Sequence, residues 1–210
     1  MILFFKKLKN FKLDRGMTYV ELIVVLGIFA LLSAVAIFNY GTFQAKIDIK
    51  NLASDIALKF VEAQKSAMSG NLPADHTIDP TWKPAYGLYF STVANSNADD
   101  KKFIYFADLD NNNEYSDLSC TPSNKDGECL DAITITRGDS IASLDVFYQD
   151  GTSAKIDDMT VIFKRPNSGA TIVSSSAFVA SVFYVQVSIT SPNETTSVIK
   201  IYSSGRIQIN

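Results

Sequence analysis

Histidine, tryptophan and cysteine are scarce in this chain of 210 residues, which has one histidine, one tryptophan and two cysteines. A single histidine excludes the histidine clusters on which many catalytic and zinc sites depend, and two thiolates alone leave a tetrahedral zinc site incomplete. The sequence also lacks a Gly-x-Ser-x-Gly stretch and a phosphate-binding glycine loop. These absences predict that the protein is not an enzyme and has no cofactor apart from the calcium ion considered below.

Charged residues are nearly absent from a long stretch near the N-terminus. Between Met17 and Phe38 the only charged residue is Glu21. As a helix this stretch is about 33 Å long, enough to cross a hydrocarbon core of about 30 Å. The basic residues of segment 1–16 all precede it, so the positive-inside rule predicts a single-pass protein with its N-terminus in the cytoplasm and its C-terminal domain outside.

The charge of the remaining chain is acidic. Residues 1–16 hold five of the 19 basic residues and one of the 22 acidic residues, so residues 17–210 carry a net charge of −7. An acidic surface opposes nonspecific binding to the DNA backbone. DNA is therefore not an expected partner.

Glu21 is the anomaly of the apolar stretch, because a carboxylate inside a membrane is costly and needs a partner. No lysine, arginine or histidine lies between Gly16 and Lys46. A cut after Gly16 would create a cation, the new α-amino group of Met17. That amine would lie about one turn from Glu21 of its own helix, or would meet Glu21 of another copy in a bundle of staggered helices.

These residues resemble the prepilin signal of type IV pilins and type II secretion pseudopilins. The resemblance rests on the basic leader, Gly16, the stretch MTYVEL from Met17 to Leu22, and the apolar run after it. It implies cleavage after Gly16 by a prepilin peptidase, N-methylation of Met17 and an assembly role for Glu21. Met17 stands where the family more often has phenylalanine.

The resemblance implies a structural subunit (a pilin, minor pilin or pseudopilin) of a type IV pilus or a type II secretion-like filament. The implied partners are the prepilin peptidase, other subunits in a homo- or hetero-filament, the assembly platform with its ATPase, and the inner membrane. The implied location is the cytoplasmic membrane and then a cell-surface or periplasmic filament. The body is most similar to H-type pseudopilins and related minor pilins.

Three alternatives stay open. Ala34-Val35-Ala36 fits an ordinary signal-peptidase site, which would release a soluble domain starting at Ile37. The basic spots Lys101-Lys102 and Lys164-Arg165 hint at a DNA-binding or adhesive minor pilin. An anchored surface hydrolase is the third, although the sequence offers no catalytic constellation for it.

The predicted fold class is α+β, with one long N-terminal helix packed on an antiparallel β-rich domain. The helix is predicted from Thr18 to Ser69, with Gly70 as C-cap, Gly41 as a soft point and no proline before Pro73. A helical pair between Asp55 and Lys59 is also expected. The predicted segments are a cleaved leader at 1–16, a transmembrane assembly helix at 17–40, an amphipathic helix at 41–70 and an extracytoplasmic β-domain at 71–210.

The apolar stripe of the second half-helix and the strands are predicted from hydrophobic periodicity. The stripe contains Ile49, Leu52, Ala53, Ile56, Phe60, Ala63 and Ala67. The expected strands are Tyr86–Phe90, Phe103–Phe106, Ala132–Thr136, Ile141–Tyr148, Met159–Phe163, Val182–Ile189 and Ser197–Ile209.

Cys120 and Cys129 lie close together in a polar stretch. Because the membrane topology places that stretch outside the cytoplasm, the two cysteines are predicted to form a disulfide. The alternative is a pair of free thiols in a loop.

The stretch from Asp108 to Asp117 resembles the first part of a calcium loop. Oxygen-bearing side chains alternate along it as they do around a hard cation, and Asn113 stands where such loops turn sharply. A solvated acidic turn is the alternative, because Ser119 occupies the place of the expected bidentate glutamate. The predicted ligands are Asp108, Asp110, Asn112, Glu114 through its backbone carbonyl, and Asp117 as a substitute for that glutamate.

Overall fold

The computed structural model describes residues 17–73, 83–93, 98–117, 120 and 127–210. Helix α1 runs from Tyr19 to Ser69 and contains no proline. It ends at Gly70, whose φ of 62° is the left-handed conformation typical of a helix terminus, and the Asn71 N–H donates to the Ser66 carbonyl. The predicted helix and its C-cap are therefore confirmed.

In the part of the chain that the structure describes, ten strands follow the helix and form two antiparallel sheets of five strands each. Sheet A has the order β3-β2-β1-β6-β7, and sheet B has the order β10-β9-β8-β4-β5. The strands are β1 Ala85–Ser91, β2 Lys102–Asp108, β3 Cys129–Thr134, β4 Ser140–Tyr148, β5 Ser153–Ile156, β6 Asp158–Phe163, β7 Ala170–Val173, β8 Val182–Thr190, β9 Thr196–Tyr202 and β10 Ile207–Ile209. The chain is thus α+β, with its antiparallel sheets C-terminal to the helix.

The sequence did not predict two of the edge strands. β5 and β7 have four residues each and lie at sheet edges. Edge strands of this length depend on their neighbour for pairing, and their own sequences carry little alternation. The predicted Ser197–Ile209 strand is instead a hairpin, because the backbone turns through Gly205 at φ 85° between β9 and β10.

The main core forms where α1 packs against the sheets. Phe60 is fully buried and stacks on Phe90 of β1, whose ring in turn stacks on Phe103 of β2. Six of the seven stripe residues predicted from sequence are buried, and Leu52 is half-buried. Burying such side chains stabilises a domain by about 1.5–3 kcal/mol each, which explains why a helix with this stripe is held against the sheets.

Sheet A is buried on both faces, unlike a simple two-layer sheet. Its outer face carries a second apolar cluster that includes Ile104, Phe106 and Ile162. Tyr115 and Cys120, from the connection between β2 and β3, pack against this cluster. A disulfide joins Cys120 to Cys129 at the start of β3, as the sequence predicted. It links the covering loop to the strand beneath it.

The chain divides into two units, residues 1–41 and 42–210. In the first unit the described helix is exposed and apolar, and α1 is long and apolar enough there to cross a membrane. The second unit contains the rest of α1 and both sheets. The boundary coincides with Gly41, the predicted soft point.

One predicted helix pair does not form. The Lys59 ammonium lies 3.1 Å from Glu62 and 3.7 Å from Asp131 of β3, instead of pairing with Asp55. Because β3 passes beside this part of the helix, the tertiary carboxylate of Asp131 competes for the lysine. Asp55 is left for the pocket described below.

Candidate functional site

The first candidate site is the start of α1. The Thr18 hydroxyl oxygen accepts a hydrogen bond from the Glu21 backbone N–H at 3.3 Å, and the Thr18 carbonyl accepts one from Leu22. Thr18 is therefore the N-cap, and Glu21 occupies the third helical position, where glutamate and glutamine are favoured. The helix dipole also favours a negative charge in this first turn.

The position of Glu21 at the start of the helix is one that the sequence analysis overlooked. The signal was present as Thr-x-x-Glu from Thr18 to Glu21, the pattern of a capping box. Met17 is described and 59% exposed, whereas Gly16 and the basic leader lie outside the described residues. The predicted cleavage after Gly16 therefore lies outside the described residues.

The second candidate site is the acidic loop after β2. It brings carboxylate oxygens of Asp108, Asp110 and Glu128 within 4.8 Å of one another. Asp108 is completely buried at the end of β2, and Glu128 is 4% exposed just before β3. Three carboxylates at this separation suit a hard cation such as Ca²⁺, which prefers oxygen ligands.

Backbone N–H groups hold the two buried carboxylates in place. Asp108 accepts from Asn112 and Asn113 at 3.2 Å each, and Glu128 accepts from Leu109 at 3.1 Å and from Ser116 at 2.9 Å. Asn113 has a φ of 65°, so the loop turns sharply at the position expected from sequence. These bonds fix the carboxylates while leaving each oxygen a further lone pair.

The charge of this loop is poorly compensated. Among the described residues, no lysine or arginine forms an ion pair with Asp108, Asp110 or Glu128. Burial raises the pKa of Glu128 to about 7, and the negative charges of Asp110 and Asp108 add to the shift. Burial is also the main cause of the raised pKa of Asp108. A bound cation would relieve both effects.

The other predicted ligands are arranged differently. The Asp117 carboxylate accepts the backbone N–H groups of Glu128 and Cys129 at 2.7 and 3.0 Å, so it supports the neighbouring segment. The Asn112 amide bonds to Asp110 at 2.8 Å, and the Glu114 side chain is exposed. Glu128 is the carboxylate that sequence reasoning missed, because its place in the group depends on the pairing of β3 with β2.

Two of the basic residues named in the sequence, Lys164 and Arg165, lie beside other parts of the domain. The Lys164 ammonium donates to the Asn111 side chain, at the rim of the acidic loop. The Arg165 guanidinium lies against Gly70 at the end of α1. Both groups are therefore used in contacts within the domain.

The known proteins add no assignment to this geometry. No protein-family model matches the chain, and no curated protein and no solved structure is significantly similar to it.

Proposed function

We propose that this protein is a structural subunit of a type IV pilus or a type II secretion-like filament, acting as a pilin, minor pilin or pseudopilin. The observation that carries the proposal is the position of Glu21. It is the single charged residue between Met17 and Phe38 and the fifth residue after Gly16. In this scheme the protein assembles through its N-terminal helix after the prepilin peptidase has removed residues 1–16.

The exposed apolar surface of the first helical unit supports this role. Phe29 is 68% exposed and Leu31 is 72% exposed, and their neighbours on all sides of the helix are similarly uncovered. An apolar surface of this extent requires lipid or another apolar surface around it. The helix lies first in the bilayer, and then the helices of neighbouring copies replace the lipid as the filament grows.

The cation that could pair with the Glu21 carboxylate also supports the proposal. The α-amino group of Met17 is the one cation that processing creates near this carboxylate, since residues 17–45 contain no lysine, arginine or histidine. An amine of one copy and Glu21 of its neighbour attract each other strongly where water is excluded. The pair therefore selects one axial stagger between adjacent helices.

The direct test is the covalent state of the natural product. Intact mass and N-terminal sequencing of the protein from its native membrane are expected to give a chain that starts at N-methyl-Met17. A product that retains the leader would contradict the proposal. A product that starts at Ile37 would instead support the alternative of a soluble domain cut after Ala36.

A second proposal concerns the acidic loop, which we infer binds Ca²⁺ through Asp108, Asp110 and Glu128. The observation that favours it is the convergence of two buried carboxylates with no basic partner among the described residues. Asn112 and the Glu114 carbonyl are further candidate ligands from the loop pattern. The role of the ion would be to stabilise the domain outside the cell.

Calorimetric titration of the metal-free full chain with CaCl₂ tests this second proposal. Saturable binding is expected, and Asp110→Asn should weaken it by about tenfold or more, because one charged ligand is lost. Asp110 is exposed, so the variant should keep its fold. Glu114→Ala is the matched control, since it removes a neighbouring charge but keeps the backbone carbonyl. No binding heat, or equal heats in all three chains, would exclude the site.

A further inference from the structure

A third group of carboxylates lies on the second half of α1, away from both sites above. Asp48 and Asp55 of the helix and Asp139 of the β3–β4 connection line an open pocket of about 430 Å³. Arg137 and Thr136 also line it. All these residues belong to the unit that contains the sheets.

The turn that carries Arg137 and Asp139 has an unusual backbone. Arg137 has a φ of 62° and Gly138 a φ of 82°, and the Asp139 N–H donates to the Thr136 carbonyl. A left-handed conformation is uncommon for a residue with a long side chain. The turn directs the Arg137 guanidinium to Asp48, with which it forms an ion pair.

Asp139 is a carboxylate of the pocket lining in an unfavourable electrostatic setting. It is 4% exposed, and burial and the negative charge of Asp48 raise its pKa, against the opposing effect of the Arg137 guanidinium. The nearest cation is Arg137, which is already engaged by Asp48. Asp55 adds a third negative charge to the pocket lining. Lys59 does not neutralise it, because the Lys59 ammonium pairs with Glu62 and Asp131 instead. The pocket lining therefore contains three carboxylates and one guanidinium.

The lining of this pocket has a net negative charge, which suits an organic cation. The only group of acidic, histidine or cysteine side chains close enough to share a metal ion, in the described residues, is the one at Asp108, Asp110 and Glu128. The carboxylates of the pocket are spread more widely. An ammonium or guanidinium group on a long side chain can enter such a pocket and bond to more than one wall.

The opposite flank of the same helix presents suitable cations. Lys46 and Lys50 are exposed and form no ion pair with the described residues. At 3.6 residues per turn they lie about 170° around the helix from Asp48 and Asp55. One flank of α1 is therefore basic and the other acidic. Complementary patches on opposite sides of one subunit form head-to-tail contacts between copies.

We propose that Lys46 and Lys50 of one copy dock at the Asp48, Asp55 and Asp139 pocket of the next copy. This inference rests on the proposed filament function and names the contact between the globular units that accompanies it. The contact is heterologous, so repetition generates an open series of copies instead of a closed dimer. A desolvated contact of this kind depends on charge complementarity for its register.

Zero-length carbodiimide coupling of sheared filaments of the full chain tests the contact, because it joins carboxylates to lysines that touch. Denaturing gels should show a ladder of linked copies, and peptide mapping of the dimer band should find Lys46 or Lys50 joined to Asp55 or Asp139. Lys50→Glu and Asp55→Lys should each reduce the ladder by about tenfold. The chain carrying both changes should recover it, because every junction then contains the swapped pair.

Two further variants separate docking from folding. Lys65→Glu, at another exposed lysine of α1, should leave the ladder unchanged. Asp139→Asn should reduce coupling yet raise the melting temperature, since burial and the negative charge of Asp48 disfavour the ionised carboxylate. Filaments that form normally but give no such linked peptides, or whose ladder survives both single charge changes, would overturn this contact and leave the proposed function intact. Absence of both filaments and ladder from the unmodified chain would overturn both.

Discussion

Replacing Glu21 with glutamine is expected to leave the chain cleaved and inserted but to reduce its incorporation into filaments by more than about a hundredfold. Leaving one charge of a desolvated pair without its partner costs about 3–5 kcal/mol, and each 1.4 kcal/mol is tenfold in an equilibrium. In Glu21→Gln, the charge left without a partner is the α-amino group that the proposed cleavage creates at Met17. Quantitative immunoblotting of the membrane fraction and of the sheared filament fraction measures the inserted chain and the assembled chain separately.

Glutamine is chosen because it separates the effect of the negative charge of Glu21 from the effect of its position in the helix cap. Both glutamate and glutamine suit the third position of a capping box, so Glu21→Gln keeps the local helix start that Thr18 supports. Glu21→Ala removes the cap contribution and the charge together. Both variants should assemble equally poorly if the charge is what assembly needs.

Thr18→Ala supplies the complementary control. It removes the N-cap hydroxyl at a cost of about 1 kcal/mol but retains the carboxylate of Glu21. Filament incorporation should therefore stay close to that of the unmodified chain. If Glu21→Gln assembles normally while Thr18→Ala and Glu21→Ala both fail, Glu21 acts through the helix cap, and the charge-pair mechanism is wrong.

In the presence of a chelator, the free energy of unfolding is expected to fall as pH rises from about 4.5 to about 7. Glu128 has a pKa near 7 in the fold against 4.5 as its ordinary value, so the folded chain holds the extra proton within this window. Stability falls wherever the folded state binds more protons than the unfolded state. The shift corresponds to a contribution of about 3 kcal/mol to the free energy of unfolding. This contribution is fully present below the ordinary pKa of Glu128 and is lost above its pKa in the folded chain. Denaturant titrations at a series of pH values measure it.

Glu128→Gln should remove most of this dependence, because glutamine does not titrate. Asp108 is expected to retain a weaker slope, since burial raises its pKa as well. Glu114→Gln, an exposed acid in the same loop, should keep the full slope. Saturating Ca²⁺ should reverse the trend and add about 2.7 kcal/mol at a hundredfold excess over its dissociation constant, because the metal requires the deprotonated ligands. A slope that is equal in the unmodified chain and in Glu128→Gln would contradict this assignment.

The sequence predicts those features whose cause is local. Apolar spacing from Ile49 to Ala67 identifies the buried helical face, and Gly70 marks the end of α1. The β1 and β2 cores are also evident, because aromatic and β-branched residues concentrate there. The short edge strands are not evident, because β5 is defined by its pairing with β4, as at Lys155 opposite Asp145.

Parts of the candidate sites are similarly hidden in the sequence. The alternation of Asp108 and Asp110 reveals a loop suited to a cation, but Glu128 enters it only through the return of the chain at β3. Asp139 reads as an ordinary turn residue until the fold buries it beside α1. Residues of this kind acquire their chemistry from long-range contacts, and no local pattern reports those contacts.

The disulfide of the β2–β3 connection has a consequence for the conditions under which this part of the domain stays intact. Tyr115 and Cys120 pack against the apolar cluster that includes Phe106, and the Cys129 backbone N–H donates to the Asp117 carboxylate at 3.0 Å. Reduction would remove the covalent link between Cys120 and Cys129. Packing and hydrogen bonds alone would then hold Cys120 over sheet A, so a reduced sample should be cleaved by added protease faster than an oxidised one.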